Sequence, residues 1–281
     1  MTAPDVDVAT VVDAVADTAV DAAVDPVPMR TAAGAPVAAA ARTGWIDGAV
    51  VGFDTETTGV DVSTDRIVTA AIVRREGPTT TVTSWLIDPG VPIPEGASAI
   101  HGITTEHARA HGEAPRRALD EIAGVIAGAL LRQEPIVAFN ASYDLSLLDA
   151  ELRRHGLTTV PERIGRQIRV VLDPLVMDRG LDRYRRGKRK LGDLCTHYGV
   201  RSSAALHTAD VDVLATLDVL RAIALRFPEI ATMSLDELHD RQIVEHRSWA
   251  QNFNAWRAGQ GLPGPGAELF WPVRGREQAA V

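Results

Sequence analysis

The sequence predicts an α/β fold built on a mixed sheet: a three-strand antiparallel meander plus parallel strands, flanked by helices. Two observations carry that prediction. Three β-branched runs follow one another between residues 49 and 87, and strand-like and helix-like stretches alternate after them. A third observation narrows it, because neither glycine fingerprint of a P-loop or Rossmann enzyme is present.

Residues 1–42 come before the folded part. They are built from Ala, Val, Asp, Thr and Pro without an aromatic anchor, which predicts a disordered tail with a transient helix around Val11 to Val24. Met29 lies inside this stretch, so translation starting there is one reading of it.

The first strand is Ala49 to Phe53, an apolar run ending in Asp54. Arg66 to Arg74 and Thr79 to Ile87 have the β-branched richness of strands, and Glu76-Gly77-Pro78 between them reads as a turn. Ala114 to Leu131 carries Leu119, Ile122, Ala123, Ile126 and Leu130 at helical spacing. Ile136 to Phe139 is a short buried strand leading into a helix from Ser142 to His155. A strand at Ile168 to Leu172, a short helix at Lys190 to Tyr198 and a long helix at His207 to Arg226 complete the predicted core. This order fits a ribonuclease H-like sheet better than a doubly wound one. A last helix, Ser234 to Arg257, carries Trp249, Phe253 and Trp256 ahead of a Gly/Pro-rich segment, residues 259–266. The expected organisation is therefore a tail (1–42), one catalytic domain (43–228) and an accessory helix with its own tail (229–281).

Composition excludes little but excludes it cleanly. The net charge of −8 argues against a protein that coats polyanions through excess Lys and Arg, although residues 1–42 alone hold six Asp against two Arg. Carboxylates gathered around cations would also make a chain look acidic. Cys195 is the sole cysteine, so an intrachain disulfide and a Cys-rich zinc cluster are ruled out and a reducing, cytoplasmic setting is expected. No window approaches the roughly 20 apolar residues of a membrane span.

Three segments carry chemistry. In Phe53-Asp54-Thr55-Glu56-Thr57-Thr58-Gly59, strand periodicity puts Asp54 and Glu56 on one face, where two hard carboxylates suit Mg2+ or Mn2+. Solvated strand-end charges are the plainer use of such a pair. In Asn140-Ala141-Ser142-Tyr143-Asp144 an Asp falls in the first turn of a helix, where it could simply complement the helix dipole. In His207-Thr208-Ala209-Asp210-Val211-Asp212 a His and an Asp five residues apart flank a helix start.

Taken together the three resemble the DnaQ-like 3′-to-5′ exonucleases with four acidic residues and a histidine, a family that includes the proofreading epsilon subunit of bacterial DNA polymerase III. Residues 51–59 reproduce that family's Asp-x-Glu-Thr-Thr-Gly motif, residues 140–144 its Asn-x-x-(Phe/Tyr)-Asp, and residues 207–212 its His-x-Ala-x-x-Asp. Ile100-His101-Gly102-Ile103-Thr104 resembles its His-Gly-Ile segment. The resemblance covers about Trp45 to Arg226. It implies two Mg2+ or Mn2+ ions held by Asp54, Glu56, Asp144 and Asp212, with His207 as general base. It also implies a substrate side lined by Thr57, His101, Gly102, Ile103, Asn140 and Tyr143. Asp210 fits less well and is expected to face outward or to cap the helix.

The implied reaction removes nucleoside 5′-monophosphates one at a time from a nucleic acid with a free 3′ end, DNA favoured over RNA. A replication or repair protein is a possible partner on the same grounds, and no membrane is involved. An exoribonuclease of the same superfamily and a binding module without turnover are the competing readings. Six cations in eight residues, Arg183 to Lys190, surround Tyr184 and could serve phosphates and a stacked base.

Overall fold

The computed structural model describes residues 44–201 and 207–275. The expectations for the N-terminal tail, its helix and its start at Met29 lie outside the described residues. Five strands form one sheet in the order β3-β2-β1-β4-β5, with β1 Val50–Thr57, β2 Ile67–Glu76, β3 Thr79–Leu86, β4 Ile136–Val137 and β5 Val171–Leu172. β1 to β3 pair antiparallel, whereas β4 and β5 run parallel to β1. The mixed sheet expected from the sequence is present.

Ten α-helices are described: α1 Glu95–His101, α2 Thr105–His111, α3 Pro115–Leu131, α4 Ala141–Arg154, α5 Val160–Ile164, α6 Pro174–Leu181, α7 Leu191–Tyr198, α8 Ala209–Arg226, α9 Pro228–Thr232 and α10 Leu235–Gly259. The sequence reading placed α3, α4, α7, α8 and α10 and missed five short helices, whose single apolar stripe is too brief to register as a period. It also overextended β4 and β5. Each pairs over only two residues, because the chain turns out of the sheet where the site begins.

Two apolar cores sandwich the sheet. Val51 and Phe53 join α3 and α4 on one face, while Val50 joins α8 on the other. Successive side chains of a strand point to opposite faces, so β1 is apolar on both. Gly52 lies under α8: a Cβ there would sit 2.3 Å from Val213 Cγ1 and 3.2 Å from Leu217 Cγ. The missing side chain lets the helix that carries Asp212 lie close against the strand that carries Asp54 and Glu56.

The β5 edge is covered by α10. Gln242 Nε2 donates to the Val171 carbonyl at 3.0 Å, its Oε1 accepts from Asp173 N at 2.7 Å, and His239 Nδ1 accepts from Val171 N at 3.2 Å. Side chains thus stand in for the missing sixth strand and close an edge that would otherwise template pairing with another chain. No helix among the described residues is long and apolar enough to cross a membrane.

Candidate active site

β1 and β4 stay paired only through Val51–Ile136 and Gly52–Val137. Beyond that point the pairing ends, at the carboxyl ends of the parallel strands, the usual place for ligands in open α/β sheets. Strand parity then sorts the β1 side chains. Asp54 and Glu56 share the α8 side with Gly52, and Thr55 and Thr57 share the α4 side with Val51 and Phe53.

On the α8 side, one carboxylate oxygen each from Asp54, Glu56 and Asp212 lie within 4.8 Å of one another. Three hard oxygen donors at that spacing fit a divalent cation such as Mg2+ or Mn2+. Without one they repel. Burial raises the Asp54 pKa well above the ordinary carboxylate value, and the charges of Asp144, Glu56 and Asp212 raise it further. Glu56 is pushed up to about 8 by burial, then by Asp212 and Asp144. Burial also raises Asp212, while the His207 amide and ring oppose the rise.

On the α4 side, Asp144 is 3% exposed and its Oδ1 is taken by Thr55, whose backbone N donates at 3.1 Å and whose Oγ1 donates at 2.7 Å. The Thr55 amide lies beyond the β1–β4 pairing, and Asp144 supplies its acceptor. Burial raises Asp144 to about 7, and these same bonds restrain the rise. Its charge acts on Asp54, so it borders the cluster, but it is not one of the three carboxylates grouped within 4.8 Å. Asp210 is likewise outside that group; it is half-exposed in the first turn of α8, where its charge raises Asp212.

His207 precedes α8, one residue before its N-cap Thr208, and is not its first residue. Its backbone is left-handed at φ 92° and its N–H faces both carboxylate oxygens of Asp212 at 3.3 Å each. The residue is exposed. Backbone and carboxylate hold the pair together.

The substrate-side candidates fall in three places. Thr57 Oγ1 and the Tyr143 hydroxyl are 2.9 Å apart, both bond the Gly59 carbonyl, and His101 is buried with the Thr57 backbone opposing the fall in its pKa that burial causes. Gly102 and Ile103 form the turn after α1, with Gly102 left-handed at φ 77° and Ile103 packed among Val68, Ile93, Ala97 and Ala108. Asn140 is the N-cap of α4, left-handed at φ 60°.

Sequence reading missed the residue that holds this turn. Asp173, 1% exposed at the end of β5, accepts from Asn140 N at 3.1 Å and Leu175 N at 3.0 Å through Oδ1, and from Ala141 N at 2.9 Å through Oδ2. Trp271 Nε1 donates to the same Oδ2 at 3.4 Å. The only signal was an Asp between a buried apolar run and Pro174, an ordinary helix start.

Residues 51–220 match the family model for RNase T exonucleases. DNA polymerase III PolC-type of Streptococcus thermophilus is 34% identical over 167 residues, 58% of this chain but 10% of that protein. The uncharacterized exonuclease CP81 of Escherichia phage 186 is 29% identical over 188 residues, 64% of this chain and 90% of that one. The chain therefore spans about a tenth of the PolC-type relatives and most of the phage protein. Among solved structures, E. coli exonuclease I in complex with a dT13 oligonucleotide shares the fold at TM-score 0.54 and 20% identity, covering 65% of this chain and 42% of that one. Exonuclease I from Methylocaldum szegediense shares it at TM-score 0.56 and 20% identity over 72% and 46%.

Proposed function

Because this chain belongs to the RNase T exonuclease family, we propose that it is a metal-dependent 3′-to-5′ exonuclease that releases nucleoside 5′-monophosphates from nucleic-acid 3′ ends. The observation that carries the reading is the convergence of Asp54, Glu56 and Asp212 within 4.8 Å, bordered by Asp144. Asp54, Glu56, Asp212 and Asp144 would hold two Mg2+ or Mn2+ ions. Such a pair, when bound, supplies Lewis-acid activation of water and charge stabilisation at the leaving 3′ oxygen.

The chain supplies the rest. His207, exposed beside Asp212, would accept the proton of the attacking water and pass it to solvent, a task suited to an imidazole near neutral pH. Thr57, Tyr143 and His101, the Gly102-Ile103 turn and Asn140 are assigned to the terminal nucleotide. DNA is the favoured substrate, in keeping with the PolC-type relatives, and cytoplasmic work beside a replication or repair protein is part of the proposal. The experiment compares wild type on 3′-labelled and 5′-labelled single-stranded DNA, duplex DNA and RNA, with Mg2+ or EDTA. The expected result is stepwise 3′ trimming of DNA that stops in EDTA. Undiminished cleavage in EDTA or attack from the 5′ end would overturn the reading, and faster trimming of RNA would favour an exoribonuclease.

The basic segment contributes less charge than its sequence suggests. Arg185 and Arg189 turn inward to Asp178, which is fully buried and also accepts from the Tyr198 hydroxyl at 2.7 Å. They pin the loop; Tyr184, 85% exposed, stands outward with Arg183. Tyr184→Ala combined with Arg183→Gln is expected to raise KM for a long single strand about 5-fold or more while leaving a dinucleotide within 2-fold. Steady-state kinetics on both substrates checks it, and equal effects on the two would count against a role in strand binding.

A further inference from the structure

The C-terminal segment, outside the matched residues 51–220, returns to the catalytic end of the fold. Trp271, 1% exposed, reaches Asp173, and Val273 enters the core beside it. Arg274 N then donates to Ser146 Oγ at 2.8 Å, two residues after Asp144 on α4. The backbone of Arg274 is fixed on the helix that borders the carboxylate site.

Its guanidinium carbon lies 5.6 Å from the centre of the Tyr143 ring, and the Tyr143 hydroxyl donates to the Gly59 carbonyl beside Thr57 at the end of β1. Among the described residues it has no carboxylate within ion-pair distance, and Nε is buried without a hydrogen-bond partner. Burial pushes its pKa below the ordinary arginine value, while Tyr143, Glu268, Asp144 and Asp61 act in the opposite sense. A buried Nε left without an acceptor is costly, and the planar fork of guanidinium donors suits a phosphate in two-point contact.

We propose that Arg274 is a substrate-binding residue, delivered by the C-terminal segment, that grips a phosphate of the nucleic-acid 3′ end beside Tyr143. The proposal rests on the nuclease reading above. It assigns the segment after α10 a part in the site, so that the exonuclease fold alone would leave the substrate cradle incomplete.

The test uses the full chain in an Asp54→Asn background with Mg2+, a fluorescent single-stranded DNA and anisotropy as the readout. Arg274→Gln is expected to weaken binding about 10-fold or more, the worth of a charge-assisted bond. The slope of log affinity against log salt should fall by about one phosphate contact. Arg274→Lys should recover part of the affinity, and the melting temperature of both variants should stay within about 2 °C of the background. Unchanged affinity and salt slope would overturn the proposal, as would equal loss in Gln and Lys variants tracking a fall in melting temperature. Hydrolysis by the wild-type chain is measured alongside: activity with an inert Arg274 defeats this proposal alone, and absence of both hydrolysis and binding defeats the nuclease reading with it.

Discussion

Asp54→Asn is expected to abolish hydrolysis, by about 1,000-fold or more, and at the same time to stabilise the metal-free protein. The first effect follows from removing a proposed metal ligand from the cluster, since Lewis-acid stabilisation of a phosphoryl transition state is worth several kcal/mol, and about 4 kcal/mol is three decades in rate. The second follows from the same carboxylates in the absence of a cation. Burial and then the charges of Asp144, Glu56 and Asp212 hold Asp54 well above its ordinary pKa. A neutral amide of the same shape removes one of the mutually repelling charges.

The sign of the pH dependence follows from linkage. For Glu56 the folded-state pKa is about 8 against an ordinary 4.5, so the folded state binds more protons than the unfolded state between those values. Stability contributed by the site is thus intact below about pH 4.5 and is lost as pH rises toward 8. In EDTA the wild-type melting temperature should fall across this window, the Asp54→Asn curve should fall less, and Mg2+ should lift the wild type more than the variant. Removing one repulsion is expected to give on the order of 2 kcal/mol at pH 8 after discounting for solvent screening, roughly 4–8 °C for a domain of this size. Thermal denaturation from pH 5 to 8, with and without Mg2+, reads all three. A lower melting temperature for Asp54→Asn at pH 8 in EDTA, or hydrolysis within 10-fold of wild type, would contradict the assignment.

The sheet and the site were legible to different depths. β1 to β3 were readable because β-branched runs and a Gly-Pro turn are local signals, and α3, α4, α8 and α10 because their apolar periods are long. The convergence of Asp54 with Glu56 followed from strand parity, which needs no tertiary information. Asp144 shows where such reasoning stops. Its place depends on where β1 and β4 cease to pair, a property of the sheet that leaves the Thr55 amide in need of an acceptor. The basic run was legible only in part for a similar reason: a count of Arg and Lys does not reveal that Arg185 and Arg189 point at a buried Asp178. Arg274 had no local signal at all. It lies more than 120 residues from Tyr143, and the Trp271 and Val273 anchors with the Ser146 bond bring it there.

Asp173→Asn should show that the motif turn is held from outside the motifs. Four donors converge on this carboxylate: the amides of Asn140, Ala141 and Leu175, and the Trp271 indole. An ionised carboxylate accepts at both oxygens, whereas an amide turns an NH2 toward two of those N–H groups. Buried donors left without acceptors cost about 1–3 kcal/mol each, so a loss on the order of 4 kcal/mol and a drop in melting temperature of roughly 8–16 °C are expected. Activity well below that temperature should fall as well, because Asp173 keeps Asn140 in its left-handed conformation and so fixes where α4 starts and where Asp144 points. Displacing a catalytic group by about 1 Å costs on the order of 100-fold in rate. Asp178→Asn is the control: it is equally buried in α6 but serves Arg185, Arg189 and Tyr198 rather than the α4 turn. It should lose comparable stability while kcat on a dinucleotide at 25 °C stays within about 3-fold of wild type. If Asp173→Asn kept kcat as well as Asp178→Asn does, the turn would not depend on this carboxylate, and the placement of Asp144 would have to be credited to Thr55 alone.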